Sequence, residues 1–283
     1  MPQRPVFAPR TVIMGLTIAA WVTVALVAPW HVLASDYSDA VGITLIVWGW
    51  LGWTAVAIAL LVPAPMSLTA LRSIAPLAVI CSIVAAAPLA VFASVVAMVL
   101  SHASVLADVM VQGGAYGDEQ RFALRTPVPY MAPAVVAWVA LGGTLIGGTL
   151  LIATQNYWVG VPLTLLGAFL ARTVPARLHR LSRRWLVLVP AGVVLHDHLV
   201  LGETVMVQRR NISKIAVVPE AGESADLTGG IAGPRIAVEI RESEKVVLSP
   251  ITAKTLGTTI ALHVNGFSFA PRRLADALAA LNG

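Results

Sequence analysis

The sequence predicts an all-α membrane bundle of about five transmembrane helices, followed by a small half-open β-barrel capped by a C-terminal helix. Three observations carry that expectation. Of the 283 residues 58% are hydrophobic and only 12% charged, which lies outside the range of soluble globular domains. The charge is also lopsided: residues 1–171 hold five Arg, no Lys and five acids, so the whole net charge of +5 falls in 172–283. Finally, long apolar runs give way at 185 to short alternating stretches, the change from helical to strand periodicity. The chain therefore divides into a transmembrane helical domain (1–171), a basic juxtamembrane junction (172–184) and a sheet-forming domain (185–283).

The opening MPQRPVFAPR is Pro-rich and basic. The apolar run behind it, about 11–33, is long enough to cross roughly 30 Å of hydrocarbon. It exceeds a signal-peptide core and reads as a retained span, although Val32 and Ala34 stand where a peptidase cuts before Ser35. The polar turn SDYSD leads to a second span at about 41–62, with Trp48, Trp50 and Trp53 as interfacial anchors or packing groups. Pro63 and Pro65 end it, and Ser67 is placed to cap the next helix.

The third run, about 71–106, reads as one span kinked near Pro88. Two spans there need about 20 residues each, more than the run holds. Ala86, Ala90, Ala93 and Ala97 recur along it at helical spacing and allow close helix approach. The polar segment 108–131 reads as an ordered loop, either a contact surface or a solvated connector. A fourth span at about 131–153 carries Gly143 and Gly147 as a GxxxG helix-packing pair. After the turn TQN comes a fifth, at about 157–171.

The junction RTVPARLHRLSRR contains Arg172, Arg177, Arg180, Arg183 and Arg184. Basic clusters beside an apolar segment stay on the cytoplasmic side, where anionic lipid attracts them. With five spans, a chain that starts outside keeps Arg121, Arg125 and the five junction arginines inside, against Arg4, Arg10 and Arg72 outside. The expectation is thus a multi-pass protein of the cell (plasma) membrane with a cytoplasmic C-terminal domain. Arg177, Arg180, Arg183 and Arg184 are its candidate contacts to the anionic phospholipid surface, outside the domain's core.

Beyond 185, strands are expected at 185–189, 193–196, 204–209, 212–218, 235–240, 246–248 and 258–264, with Ile260, Leu262 and Val264 facing inward. A Gly/Ser/Asp-rich loop covers 220–233, and Pro271 suits the start of a final helix striped by Leu274, Leu278 and Leu281. Arg209, Arg210 and Lys214 gather around one strand turn and form a second candidate lipid or partner contact.

The stretch RRWLVLVPAGVVLHDHLVLGETVMVQRRNISKI (183–215), the junction arginines and the terminal helix resemble the bacterial pleckstrin-homology-like domains that follow a transmembrane hairpin. The whole chain is similar to multi-span membrane proteins of actinobacterial type. The resemblance covers about the last hundred residues. It implies a seven-stranded PH-like barrel with a capping helix, and neither phosphoinositide binding nor a catalytic residue.

No GxxxxGK, HExxH, GxSxG or CxxC motif occurs, so no enzyme activity and no cofactor are expected. The lone Cys81 sits in an apolar run and can form no internal disulfide. His196-Asp197-His198 holds three ligand types for zinc, but a structural site needs four ligands; the other reading is a polar loop edge. The basic excess lacks aromatic interleaving, which argues against nucleic acid. Two functions lead, with a membrane-bound enzyme third. The first is a non-enzymatic scaffold, assembly or regulatory factor that binds the lipid surface, a membrane-protein partner or a second copy of itself. The alternative is a transporter or permease component for a lipid or hydrophobic solute.

Overall fold

The computed structural model describes residues 7–219 and 224–283; Arg4 and Glu220 lie outside them. The chain forms two compact units, one of Met1–Met110 with Pro133–His179, the other of Val111–Ala132 with Arg180–Gly283. The segment read from sequence as a connecting loop of the first half therefore belongs mainly with the C-terminal strands.

The helical unit contains α1 (Phe7–Val27), α2 (Pro29–Ala34), α3 (Asp39–Leu61), α4 (Pro65–Val84), α5 (Pro88–His102), α6 (Ser104–Gln112), α7 (Val128–Ala153) and α8 (Tyr157–Ser182). Among the described residues five helices are long and apolar enough to cross a membrane: Arg10–Ala34, which joins α1 to α2, then α3, α4, α7 and α8. Three of the breaks come just before a proline that opens the next helix, Pro29, Pro65 and Pro88. Ala28, at φ 46°, precedes Pro29, and proline disfavours the right-handed helical region for the residue before it.

The run 71–106 is not one kinked span. α4 ends at Val84, Ala86 turns left-handed at φ 48°, and Pro88 opens α5, which packs back along α4. Ala90, Ala93 and Ala97 are buried at this contact-rich helix, while Ala86 forms the turn. α5 and α6 are long and apolar enough to cross a membrane only together, and a 67° bend separates them. Pro65 rather than Ser67 begins α4, and the Ser67 hydroxyl donates to Val62 O instead of capping.

Side-chain contacts fix the helix directions. Trp21 and Trp53 each donate an indole N–H to the other's carbonyl at 3.0 Å, and a Cβ on Gly42 would meet Ala34, so α1–α2 and α3 are antiparallel. Trp50 donates to His31 Nε2 at 3.0 Å, and Trp48 donates to Thr149 Oγ1 at 2.9 Å. The tryptophans of α3 are packing groups. Trp138 donates to Ser73 O and Gly142 faces Leu77, so α7 runs parallel to α4. Thr69 lies 3.0 Å from His179 Nδ1, which sets the start of α4 beside the end of α8. Arg72 donates to Ser101 O at the end of α5.

α5 thus returns the chain to the end where α4 began, and α1 starts at the end where α8 finishes. The expected opposite placement of the two ends rested on counting 71–106 as one crossing, and that run is instead the antiparallel pair α4 and α5. Gly143 and Gly147 face open space rather than another helix of this chain. Close approach falls instead to Gly148, Gly160 and Gly167, where an added Cβ would come within 3 Å of the facing helix of the α7–α8 pair. α8 does not stop at 171. It carries Arg172, Arg177 and Arg180 on a helix whose 26 residues span about 39 Å.

The sheet unit has two four-stranded sheets. The first is an antiparallel meander of β1 (Gln120–Ala123), β2 (Arg184–Val189), β3 (Gly192–Asp197) and β4 (Val205–Gln208). The second, in the order β5-β7-β8-β6, comprises β5 (Ile212–Val218), β6 (Ala225–Asp226), β7 (Arg235–Val247) and β8 (Ala261–Phe269), with β6 parallel to β8. The two stretches expected at 235–240 and 246–248 are one long strand, β7, with an irregularity between Glu239 and Glu244. Phe122, Leu186, Leu195 and Val207 of the first sheet share a core with Ile236, Val238, Phe267 and Phe269 of the second.

The sheets do not close into a barrel, which corrects that part of the expected fold. α9 (Pro250–Leu256) and α10 (Leu274–Asn282) complete the unit, and α10 buries Ala277 and Leu281 in the core. Pro271 bridges to Leu124 instead of opening α10, and Ile260 is exposed while Leu262 and Val264 pack inward.

Candidate functional site

The alternation of β2 and β3 puts Arg184, Leu186 and Leu188 on one face and Val193, Leu195 and Asp197 on the face that meets it. Two charged residues therefore enter the core together. Arg184 Nε is 2.9 Å from both oxygens of Asp197, and Nη2 is 2.7 Å from Oδ2, with side-chain exposures of 1% and 0%. Nη1 also donates to Arg125 O and Nη2 to Thr228 O, while Asp197 Oδ1 accepts from the backbone N–H of Leu199 and Val200. Every arm of the pair is used. Arg184 is thereby removed from the candidate lipid contacts: it joins β1's continuation, β2, β3 and the 228 loop.

With Asp197 turned inward, His196 and His198 remain outside, and the three do not converge as metal ligands. Among the described residues no three or more His, Cys, Asp or Glu side chains are grouped to hold a metal ion. The outer face carries a layered cluster instead. Arg121 of β1 lies over Trp185 of β2 at 5.9 Å, and Trp185 stacks on His196 of β3 with centroids 4.5 Å apart. His198 meets His196 edge-on at 4.3 Å. Arg183 Nη2 is 3.5 Å from His196 Nε2, and Thr204 Oγ1 is 3.1 Å from Nδ1. Glu119 is paired with Arg121 at 2.8 Å.

Burial first, and then the charges of His198 and Arg183, push the His196 imidazole down to about 4. His198 shifts the same way, by burial and then by Arg183. The unfolded His196 imidazole takes up a proton near pH 6.5, whereas the folded one resists until about pH 4. Its contribution to stability is full above about pH 6.5 and is lost as pH falls through about 4. Acid titration of the melting temperature is expected to show a shallower slope in that window for His196→Asn than for the wild type.

The second predicted contact, around Arg209, Arg210 and Lys214, is partly committed. Lys214 Nζ pairs with Glu239 at 3.2 Å on the surface, and Arg209 Nη2 donates to Leu281 O at 3.3 Å, where a cation suits the helix C-terminus. Arg210 is exposed on a 3-10 turn (Arg209–Asn211). Beside Arg209 is an apolar cleft of about 200 Å³, lined by Leu188, Val193, Ile212, Ile215 and Leu281. Arg177 and Arg180 are exposed on α8, and Arg183 is half-buried just beyond its end.

Fold and side chains together define a protein in two parts, apolar helices of membrane-crossing length and a sheet unit interrupted by two of them. No family model, no curated protein and no solved structure matches the chain.

Proposed function

We propose that this chain is a non-enzymatic, multi-pass protein of the plasma membrane. Its sheet unit, which we read as PH-like, works at the cytoplasmic face as a scaffold, assembly or regulatory module that engages the anionic lipid surface or a membrane-protein partner. The observation that carries the reading is the distribution of arginine along the chain path. Arg10, Arg72, Arg172 and Arg177 lie on helices toward the end from which the chain enters 111–127 and 183–283, and Arg121, Arg125, Arg183 and Arg184 lie in those two segments themselves. The opposite connections, 35–38, 85–87 and 154–156, hold Asp36 and no Lys or Arg. Arginine bias of this kind is what retains a segment in the cytoplasm.

Hydrogen exchange of the full-length protein tests the reading, in nanodiscs of phosphatidylcholine with and without phosphatidylglycerol. Slower exchange in 172–198 with phosphatidylglycerol, relieved by salt, is the expected result. Equal exchange in both lipids contradicts the lipid arm, and a protein that co-purifies in fixed ratio from native membranes then carries the partner arm.

A further inference from the structure

Resting on that cytoplasmic reading, we infer that Arg180, Arg183, His196 and His198 form a seat for the phosphate of one anionic phospholipid headgroup, on the outer face of the first sheet. Four observations converge on it. Arg183 follows the last residue of α8 directly, so the seat stands where the chain leaves its last apolar helix. Two acids beside it are already engaged, Asp197 with Arg184 and Glu119 with Arg121. The charged groups that act on His196 are His198, Arg183, Asp197 and Arg121, and those that act on His198 are Arg183, Asp197 and Arg180. Positive charge exceeds negative around both rings.

The rings are also held in place. Trp185 stacks flat against His196, Thr204 fixes its Nδ1, and His198 stands edge-on to it. The fourth observation concerns the chemistry on offer. A guanidinium gives a planar fork of N–H donors that matches phosphate oxygens, and a protonated imidazole adds donors of its own. Anion binding and imidazole protonation are then linked, since each lowers the cost of the other.

The test is the proton titration of His198 by NMR in the full-length protein, in nanodiscs of phosphatidylcholine alone and with phosphatidylglycerol. His198→Gln assigns the signal. Phosphatidylglycerol is expected to raise the midpoint by about one pH unit, the size of a close opposite charge. Arg183→Gln is expected to abolish that rise while leaving the sheet amide signals in place; Arg180→Gln, at an exposed position, serves if Arg183→Gln disturbs the fold. An unchanged midpoint in phosphatidylglycerol overturns the seat. A rise produced equally by inorganic phosphate in phosphatidylcholine discs overturns the lipid assignment in favour of a free anion. Slower exchange in 172–198 without any His198 shift means that the cytoplasmic reading stands and this seat is wrong. Loss of both removes the reading itself.

Discussion

Arg184→Ala is expected to unfold the sheet unit, at a cost of about 3–5 kcal/mol, the usual penalty for leaving a buried charge without its partner. The loss is large because the side chain serves three other segments at once: Asp197 loses its cation, and Arg125 O and Thr228 O lose this donor. Thermal melts followed by the NMR amide signals of β2 and β3 measure it. Asp197→Ala is expected to cost as much, and the double variant Arg184→Met with Asp197→Leu less than either single change, because no orphaned charge remains. A melting temperature for Arg184→Ala equal to that of the wild type removes the pair from the account of stability.

The second large effect concerns where the sheet unit begins. A fragment covering 183–283 is expected not to fold, because it lacks β1. Phe122 and Leu124 are 5% and 3% exposed in the core, and truncating one buried Phe alone costs about 3–5 kcal/mol. The fragment also loses the Leu124 N–H bond to Arg184 O, the Arg125 N–H bond to Ala270 O and the Arg272 N–H bond to Ala123 O. β1 ends where β2 starts, with Ala123 opposite Trp185. A flexible linker of about eight residues is therefore long enough to replace the α7–α8 hairpin. Joining 111–127 to 183–283 in this way is expected to restore a soluble domain with dispersed amide signals. A folded 183–283 fragment contradicts the role given to β1.

How far the sequence reveals this architecture depends on the length and regularity of each signal. Apolar runs such as 131–153 are long enough to read directly, and the alternation of 212–218 or 235–240 marks strands without help. β1 is four residues with its partner some sixty positions away, so only the brief R-F-A-L-R alternation hints at it. The α4–α5 turn is hidden because its three residues are alanines, with Pro88 the one signal, and proline marks a kink and a break alike.

Arg184 looked like one more member of a basic cluster. Period-two counting from Leu186 and Leu188 places it inward, and the same counting from Val193 and Leu195 places Asp197 opposite, so this pair was legible. The outward stack of Trp185 on His196 follows from the same register. The roles of Arg180, Arg183 and His198 do not, because they depend on a turn and a helix end that periodicity leaves undetermined.

Site-by-site labelling in intact cells tests the central claim most directly: that both segments of the sheet unit, and every arginine cluster, face the cytoplasm. Single cysteines at Tyr37, Thr154, Asp118 and Arg210 in a Cys81→Ser background are exposed positions on the connections concerned. A membrane-impermeant maleimide is expected to label Tyr37→Cys and Thr154→Cys in intact cells, and Asp118→Cys and Arg210→Cys only after permeabilisation. Labelling of Asp118→Cys or Arg210→Cys in intact cells, or protection of Thr154→Cys, contradicts the account.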